Sequence, residues 1–273
     1  MLTLVAPITY SQISDSEQNA LVDLYNSTNG ADWNNTWDLS ESATTWHGIT
    51  IEDNKVTAIN LGMNNLNGQI PSSIENLQSL KQLDLGFNKI IGTIPSEITS
   101  ITSLESIKLF MNQLEGEIPS TIGNLVNLKE LVLFNNLISG YLPTSIYSIK
   151  TLETLHISSN DLTGNITEEI GNLTNLTTLS IFDNSMYGEI PNSLGNLTNL
   201  TELTLANNLF EGEVPNELSN LSKLETLLLN NNRFIGSINE SIKNLPKLVN
   251  LDFENNPRNV DVQTNTVTAV IPQ

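Results

Sequence analysis

Nine asparagines recur at a fixed interval of 24 residues, and this period constrains the fold of the 273-residue chain more than any other feature. They are Asn64, Asn88, Asn112, Asn136, Asn160, Asn184, Asn208, Asn232 and Asn256. A period of about 20–50 residues is typical of stacked repeats, in which each coil packs mainly against its two neighbours. We therefore expect a single elongated array, because such a stack grows in one dimension and needs no second core.

The copies of the repeat follow the frame LxxLxLxxNxLxGxIPxxIxxLxx, where x is a variable residue, and Thr167 and Asn239 replace the proline in two of them. Eight complete copies occupy residues 56–247, and a truncated ninth copy begins at Leu248. The alternation in LxL predicts a short strand with one buried face, and strands from successive copies are expected to pair in parallel. Each asparagine follows its strand where the chain turns inward, so its side chain is predicted to satisfy backbone groups there. We interpret the asparagine column as structural.

The LxGxIP stretch resembles the plant-specific class of leucine-rich repeats, over about residues 16–256. Receptor-kinase ectodomains and polygalacturonase inhibitors carry repeats of this class. The resemblance implies an α/β solenoid, a right-handed superhelix with a concave parallel β-sheet and a short second sheet beside it. It also implies 3-10 or helical turns on the convex side.

Residues 14–55 are predicted to form an N-terminal cap that covers the first repeat. The stretch Asp15–Tyr25 has helical spacing with Ser or Asp as its N-cap. A polar turn at Glu52–Lys55 predicts a hairpin that leads into the first repeat. The tryptophans, which are expected to fill the core of the cap, are Trp33, Trp37 and Trp46.

The chain has no cysteine, which excludes disulfides, thiolate metal sites and cysteine nucleophiles. The segment Trp46–Ile49 resembles a motif in the caps of the plant proteins, yet Thr44 and Ile51 occupy the positions where the plant cysteines are expected. This departure favours a bacterial exported protein, either secreted or held at the cell surface.

The two ends of the chain fall outside the complete repeats. Residues 1–13 are interpreted as the remnant of an export signal, with a terminal tail as the alternative. Residues 248–273 are interpreted as the truncated ninth repeat and a C-terminal cap, because the last open face of the core has to be covered. A connection to a further domain is the alternative for this end.

Charge narrows the range of partners. The formal net charge is −19, from 30 acidic and 11 basic residues. Nucleic acid is not expected as a partner, because a phosphate backbone requires clustered Lys and Arg. The chain contains no run of 18 or more apolar residues, so membrane insertion is not expected either. The acidic field instead favours solubility or a basic partner.

Variable residues that flank the LxL pair are expected to point from the concave strands, and the repeats differ there. The candidate ligand-binding residues are Met63, Phe87, Phe110, Met111, Val132, Phe134, His156 and Phe182. Phe110 and Phe134 are predicted on adjacent strands about 4.8 Å apart, with Phe182 about 10 Å further along. The alternative is that the rings stack on one another and need no ligand. His156 is interpreted as a hydrogen-bonding contact beside Phe134 and Phe182.

Two other surfaces are acidic. Toward its C-terminal end the concave face is interpreted as a solvated rim formed by Asp183, Asn207, Asn230, Asn231, Asp252 and Glu254. A second surface on the outer side of the repeats is interpreted in the same way, with Glu115, Glu117, Tyr141, Tyr187, Glu189, Glu211 and Glu213.

No catalytic residue, metal or cofactor is expected, because the sequence shows neither a Ser–His–Asp set nor three convergent metal ligands. The leading hypothesis is a non-catalytic exported or cell-surface recognition module, which binds a protein, peptide or glycan through its concave face. One alternative is an inhibitor of a secreted hydrolase. The other is a structural or adhesion protein that self-associates, for example as a homodimer.

Overall fold

Two sheets run side by side along the array in the computed structural model, which describes residues 13–257. The strands, in chain order, are β1 Ile49–Glu52, β2 Lys55–Asn60, β3 Asn67–Gly68, β4 Gln82–Asp84, β5 Lys89–Gly92, β6 Ser106–Lys108, β7 Gln113–Gly116, β8 Glu130–Val132, β9 Leu137–Tyr141, β10 Thr154–His156, β11 Asp161–Gly164, β12 Thr178–Ser180, β13 Ser185–Glu189, β14 Glu202–Thr204, β15 Leu209–Gly212, β16 Thr226–Leu228, β17 Arg233–Phe234 and β18 Asn250–Asp252. The first sheet has ten strands, β1 followed by the even-numbered strands, and the second has eight, the odd-numbered strands from β3 to β17. Only β1 and β2 pair antiparallel among these described strands.

Short helices and turns complete each coil. The α-helices are α1 Asp15–Ser27 and α2 Glu240–Lys243. The 3-10 turns are Gly30–Asp32, Ala43–Thr45, Ser72–Asn76, Ser96–Ser100, Ile122–Asn124, Thr144–Ser148, Glu168–Asn172, Asn192–Asn196 and Asn216–Asn220. The expected fold class, with a long parallel sheet, a short second sheet and 3-10 turns, is confirmed. We call the solvent-facing side of the ten-stranded sheet the concave face.

Frame leucines form columns through the core because residues 24 positions apart pair in the first sheet. Leu155 lies opposite Leu131 on one side and Leu179 on the other, and none of the three side chains is more than 1% exposed. A fully buried leucine contributes roughly 1.5–3 kcal/mol. Since the same column continues from coil to coil, the repeats share one uninterrupted core.

The asparagine column ties each coil to the one before it, as Asn160 illustrates. Its Oδ1 accepts the backbone N–H of Ile138 in the preceding repeat at 3.0 Å. Its Nδ2 donates to the carbonyl of Leu133 in the preceding repeat at 3.0 Å and to that of Ile157 in its own at 3.1 Å. Equivalent bonds are made by Asn88, Asn112, Asn136, Asn184, Asn208, Asn232 and Asn256.

The first asparagine of the column, Asn64, has the cap beside it in place of a preceding repeat. Its Oδ1 accepts the backbone N–H of Asn35 at 2.7 Å, and its Nδ2 donates to the carbonyl of Asn35 at 3.4 Å. The loop after α1 therefore docks onto the array through the same side chain that joins one repeat to the next.

Helix α1 is fixed to the hairpin through Glu17, which is only 2% exposed. Ser14 is the N-cap, and its backbone N–H donates to Glu17 Oε2 at 3.2 Å, which completes a capping box. Glu17 Oε1 accepts the backbone N–H of Val56 at 3.1 Å. The ammonium of Lys55 lies 3.8 Å from the same carboxylate and balances its buried charge.

A tryptophan cluster fills the cap, as expected. The ring centroids of Trp33 and Trp37 are 4.9 Å apart, and those of Trp37 and Trp46 are 4.8 Å apart. All three side chains are buried, and each indole N–H donates to a backbone carbonyl at 2.9 Å. Aromatic packing therefore closes this end of the core without any disulfide.

The export-signal remnant and the C-terminal cap are both assigned to segments that the structure describes only in part. The export-signal remnant at residues 1–13 lies outside the described residues except for Ile13, and the C-terminal cap is described only as far as Pro257. The domain boundaries remain predictions.

Replacing Asn160 with Ala removes the partner of the buried Ile138 N–H and one of the two amide donors to the Leu133 carbonyl, which keeps Asn136 Nδ2. We expect the free energy of unfolding in urea to fall by about 1–3 kcal/mol for each group left unsatisfied. As a control, Asn172→Ala changes an exposed asparagine at the end of a turn. This variant should change the free energy of unfolding by less than about 0.5 kcal/mol. Equal losses in the two variants would contradict a structural role for the column.

Candidate functional site

Four rings form a continuous stack across neighbouring strands of the concave face. The ring centroids of Phe87 and Phe110 are 5.4 Å apart in an edge-to-face pair. Phe110 then stacks on Phe134 at 4.8 Å, and Phe134 stacks on the His156 imidazole at 4.4 Å. The Phe110 ring also covers Gly86, where a Cβ would lie 2.5 Å from the ring. Gly86 therefore leaves room for the stack.

The remaining candidate residues lie around this stack. Val132 and Ser180 pair with His156 on the adjacent strands, so no charged side chain flanks the imidazole in register. Burial lowers the pKa of His156, which favours the neutral imidazole. Phe182 has no ring contact with another aromatic side chain in residues 13–257. The structure thus places the His156 imidazole against the Phe134 ring, whereas no stacking joins His156 to Phe182 among the described residues.

The residue immediately before each column asparagine adopts a left-handed backbone conformation, with φ between 50° and 57°. These positions, which we call the left-handed column, are Met63, Phe87, Met111, Asn135, Ser159, Asp183, Asn207, Asn231 and Asn255. Asn, Asp and Ser tolerate this conformation because their short polar side chains bond locally. The repeat frame alone does not predict it, although the small polar residues at six of the nine positions are a signal for it.

Three members of the left-handed column are bulky and apolar, and they follow one another in the first three repeats. The Met63 side chain is 71% exposed and that of Phe87 is 49% exposed, while Met111 is half-buried. A left-handed conformation costs such residues roughly 1–2 kcal/mol each. Their exposure means that little buried apolar area offsets this strain within the chain itself.

A shallow recess of about 270 Å³ opens beside these side chains. It is lined by Asn34, Met63, Asn65, Phe87, Asn88 and Lys89. The Lys89 ammonium donates to Asn65 Oδ1 at 2.8 Å, which keeps a positive charge at the rim. This recess is close to the open end of the ring stack, because Phe87 belongs to both.

Polar groups that the sequence-based candidates did not include also occupy the concave face. The Lys108 ammonium lies 3.1 Å from Glu130, whose Oε2 also accepts from the Ser106 hydroxyl at 2.8 Å. Burial opposes ionisation of Glu130, but these two neighbours outweigh it and lower its pKa. The residues before the first leucine of each LxL pair, Ser106 and Glu130 among them, point to this face by the same period-two alternation.

A chain of hydroxyls continues the concave face beyond the rings. Ser158 and Ser180 are 2.7 Å apart, and Ser180 and Thr204 are 2.6 Å apart, all three side chains being buried. The second acidic surface lies along the eight-stranded sheet, where Glu115, Glu117, Tyr141, Tyr187, Glu189, Glu211 and Glu213 are all exposed. The sequence grouping of these residues therefore corresponds to one side of the molecule.

The described part of the chain shows neither a cluster of metal ligands nor a membrane-spanning helix. No group of three His, Asp or Glu side chains within residues 13–257 is arranged to hold a metal ion. None of the helices described there has the length and apolar character needed to cross a bilayer.

Two sheets whose repeat strands pair in parallel, joined coil by coil through asparagines, define a solenoid repeat protein. Family models match the chain as a leucine-rich repeat region over residues 135–270 and as leucine-rich repeats over residues 55–77, 79–101 and 103–125. The chain belongs to the leucine-rich repeat family and is of the plant type. The comparison with curated proteins gave no match.

Solved structures from Arabidopsis thaliana share the fold. The ectodomain of the receptor kinase GASSHO1/SCHENGEN3 is 34% identical, with a TM-score of 0.85 over 89% of this chain and 30% of that one. The receptor kinase HAESA is 30% identical, with a TM-score of 0.81 over 90% and 42%. A chain of the BIR3–SERK2 complex is 30% identical, with a TM-score of 0.50 over 56% and 86%. This chain thus spans less than half of the first two proteins.

Stability should depend on the protonation of His156. Its folded pKa lies below the unfolded value near 6.5, so protonation favours the unfolded state. The contribution of the neutral imidazole is present above that unfolded value and is lost as the pH falls through the folded pKa. We expect the melting temperature of the wild type to fall relative to that of His156→Gln between about pH 7.5 and pH 5. A constant difference between the two proteins would contradict the prediction.

Proposed function

We propose that the chain is a non-catalytic recognition module that binds a protein or peptide ligand through the concave face. The observation that carries the proposal is the run of bulky apolar side chains in the left-handed column, exposed Met63 and Phe87 and half-buried Met111. Strained backbone conformations that persist without an internal benefit cluster at binding sites. Exposed apolar patches are likewise a mark of contact surfaces.

A purely structural account of the ring stack explains less. Aromatic pairs contribute about 0.5–1.5 kcal/mol, which accounts for Phe110 and Phe134. It does not account for Met63, which belongs to no ring pair and is mostly exposed. Burial of such side chains against a ligand would contribute roughly 1.5–3 kcal/mol each. We therefore assign the apolar half of the concave face to ligand binding, with the eight sequence-based candidates as its expected contacts.

The structural relatives support this class of ligand. The GASSHO1/SCHENGEN3 ectodomain was solved with CASPARIAN STRIP INTEGRITY FACTOR 2, and HAESA with the peptide hormone IDA and the co-receptor SERK1. The same relatives support an extracellular location. A bacterial origin and release by an export signal are the finer parts of the proposal, and they rest on the cysteine-free cap.

The two alternative functions, a hydrolase inhibitor and a self-associating protein, require different partners for the concave face. An inhibitor of a secreted hydrolase would use the same face against a folded partner, and the net charge of −19 would suit a basic enzyme. Self-association has to overcome repulsion between two strongly acidic copies. Sedimentation at two protein concentrations separates a homodimer from a monomer.

Met63→Asn should raise stability while weakening ligand binding. Asparagine tolerates the left-handed conformation at Met63, so we expect the free energy of unfolding to rise by up to about 1 kcal/mol. The reciprocal change Asn135→Met places a bulky residue at the equivalent position of the left-handed column. This variant should lower the free energy of unfolding by a similar amount. Urea unfolding measures both. If Met63→Asn instead lowers the free energy of unfolding, the Met63 side chain stabilises the fold and the prediction is wrong.

The double variant Phe110→Ser with Phe134→Ser tests the binding face itself. Peptides are first selected on the wild-type protein from a displayed random 12-residue library, and their Kd values are then measured by calorimetry. We expect the variant to bind the selected peptides more than roughly tenfold more weakly, because two central rings are lost. Its free energy of unfolding should fall by roughly 1.5–4.5 kcal/mol, since three ring pairs worth about 0.5–1.5 kcal/mol each are lost. Binding is therefore compared under conditions where urea unfolding shows both proteins to be folded.

A matched control removes two aromatic side chains from the other side of the molecule. Tyr141→Ser with Tyr187→Ser changes exposed residues of the second sheet and should leave the Kd unchanged. If the control and the double phenylalanine variant lose affinity equally, or if neither does, the concave face is not the binding site.

A further inference from the structure

The recess beside Met63 has a counterpart further along the array. The second recess has a volume of about 360 Å³ and is lined by Asn136, Leu137, Ser159, Asn160, Asp161, Asp183, Asn184 and Ser185. Five of these residues are the repeat equivalents of recess residues near Met63, each displaced by 96 positions, or four repeats. The two recesses are therefore the same structural feature with different side chains.

The two recesses differ in the polarity and charge of the side chains that line them. The first presents Met63 and Phe87, with the Lys89 ammonium at its rim. At the equivalent positions the second presents Ser159, Asp183 and Ser185, and Asp161 adds a further carboxylate. No basic residue lines the second recess, and neither of its two aspartates forms an ion pair among the described residues. One recess is suited to an apolar group and the other to a cation.

Charge pairing along the concave face follows the same division. Lys81, Lys108 and Lys129, in the N-terminal half, are each paired with a glutamate. The segments 177–183, 201–207, 225–231 and 249–255 contain no Lys or Arg. Their carboxylates at Asp183, Glu202, Glu225, Asp252 and Glu254 have no ion-pair partner within residues 13–257. Unpaired charge of one sign is what a ligand of the opposite sign would complement.

We propose that the ligand is an extended peptide segment that places an apolar side chain in the first recess and a Lys or Arg side chain in the second. This inference rests on the proposed function and adds the chemistry and spacing of the two contacts. Strands in a sheet are about 4.8 Å apart, so equivalent positions four repeats apart are separated by about 19 Å. An extended chain covers that distance in about six residues, since each residue rises about 3.3 Å.

The geometry favours an extended segment over a second copy of this chain. A partner copy with a net charge of −19 would bring carboxylates against Asp161 and Asp183. The Lys89 ammonium at the first recess opposes binding of the cation at that end and so fixes the polarity of the ligand. The order of apolar and basic residues along the peptide is therefore determined by the array.

The experiment uses the full chain and the displayed random 12-residue library. We expect the peptides selected on the wild type to share an apolar residue and a Lys or Arg about six positions apart, in one constant order. Their affinity should fall as the salt concentration rises, because the cationic contact is screened. Selected peptides without any shared basic position would overturn the inference.

The variant Asp161→Asn with Asp183→Asn neutralises the second recess without strain, because asparagine occupies the left-handed position of Asp183 at Asn135 and Asn207, and Asp161 lies in strand β11. We expect its Kd for a selected peptide to be weaker by roughly tenfold, with a flattened salt dependence. The matched control Glu189→Gln with Glu211→Gln neutralises two exposed carboxylates of the second sheet and should change neither quantity. Equal effects in the two variants would show that only the overall charge matters and would overturn the inference.

Failure of this inference can be distinguished from failure of the proposed function. If Phe110→Ser with Phe134→Ser abolishes binding while Asp161→Asn with Asp183→Asn has no effect, the concave face binds a ligand that does not use the second recess. If neither double variant weakens binding, both the inference and the proposed function are wrong.

Discussion

The side-chain amide of the column asparagines is the interaction on which the rest of the structure depends. It bonds two successive coils at once, accepting a backbone N–H from the preceding coil and donating to a carbonyl in each. At this point the chain leaves the first sheet and turns toward the second, so no strand partner can satisfy those backbone groups. An apolar side chain there would leave the N–H buried and unpaired, which costs roughly 1–3 kcal/mol, and would remove one of the two amide donors to each carbonyl.

The candidate site is a consequence of the same turn. For Asn160 and its equivalents to point inward, the preceding residue adopts a left-handed conformation in every repeat. The scaffold therefore offers a row of outward-pointing side chains at strained positions, spaced by one strand each. Most repeats fill the row with Asn, Asp or Ser, which tolerate the strain. The first three use Met63, Phe87 and Met111, so bulky apolar side chains occupy strained positions there.

The concave face consequently divides along the length of the array. Its N-terminal half combines the ring stack ending at His156 with lysines that are already paired to glutamates. Its C-terminal half combines buried hydroxyls with carboxylates such as Asp183 and Glu202, which have no ion-pair partner among the described residues. Because the scaffold is uniform, the difference between the halves resides entirely in the variable positions. A ligand that spans both halves would have to match that division.

The sequence by itself determined the fold, because the Asn64–Asn256 period and the LxL alternation set the coil length, the strand positions and the core. It also identified Phe87, Phe110, Phe134 and His156 as a group, since adjacent strands bring together residues 22 to 24 positions apart. Only the tertiary structure decided that these rings contact one another while Phe182 does not, and that Met63 occupies a left-handed position. Ring contacts depend on side-chain rotamers, and the recesses depend on how successive coils lie against each other. A periodic pattern of residue types specifies neither the rotamers nor the way in which successive coils lie against each other.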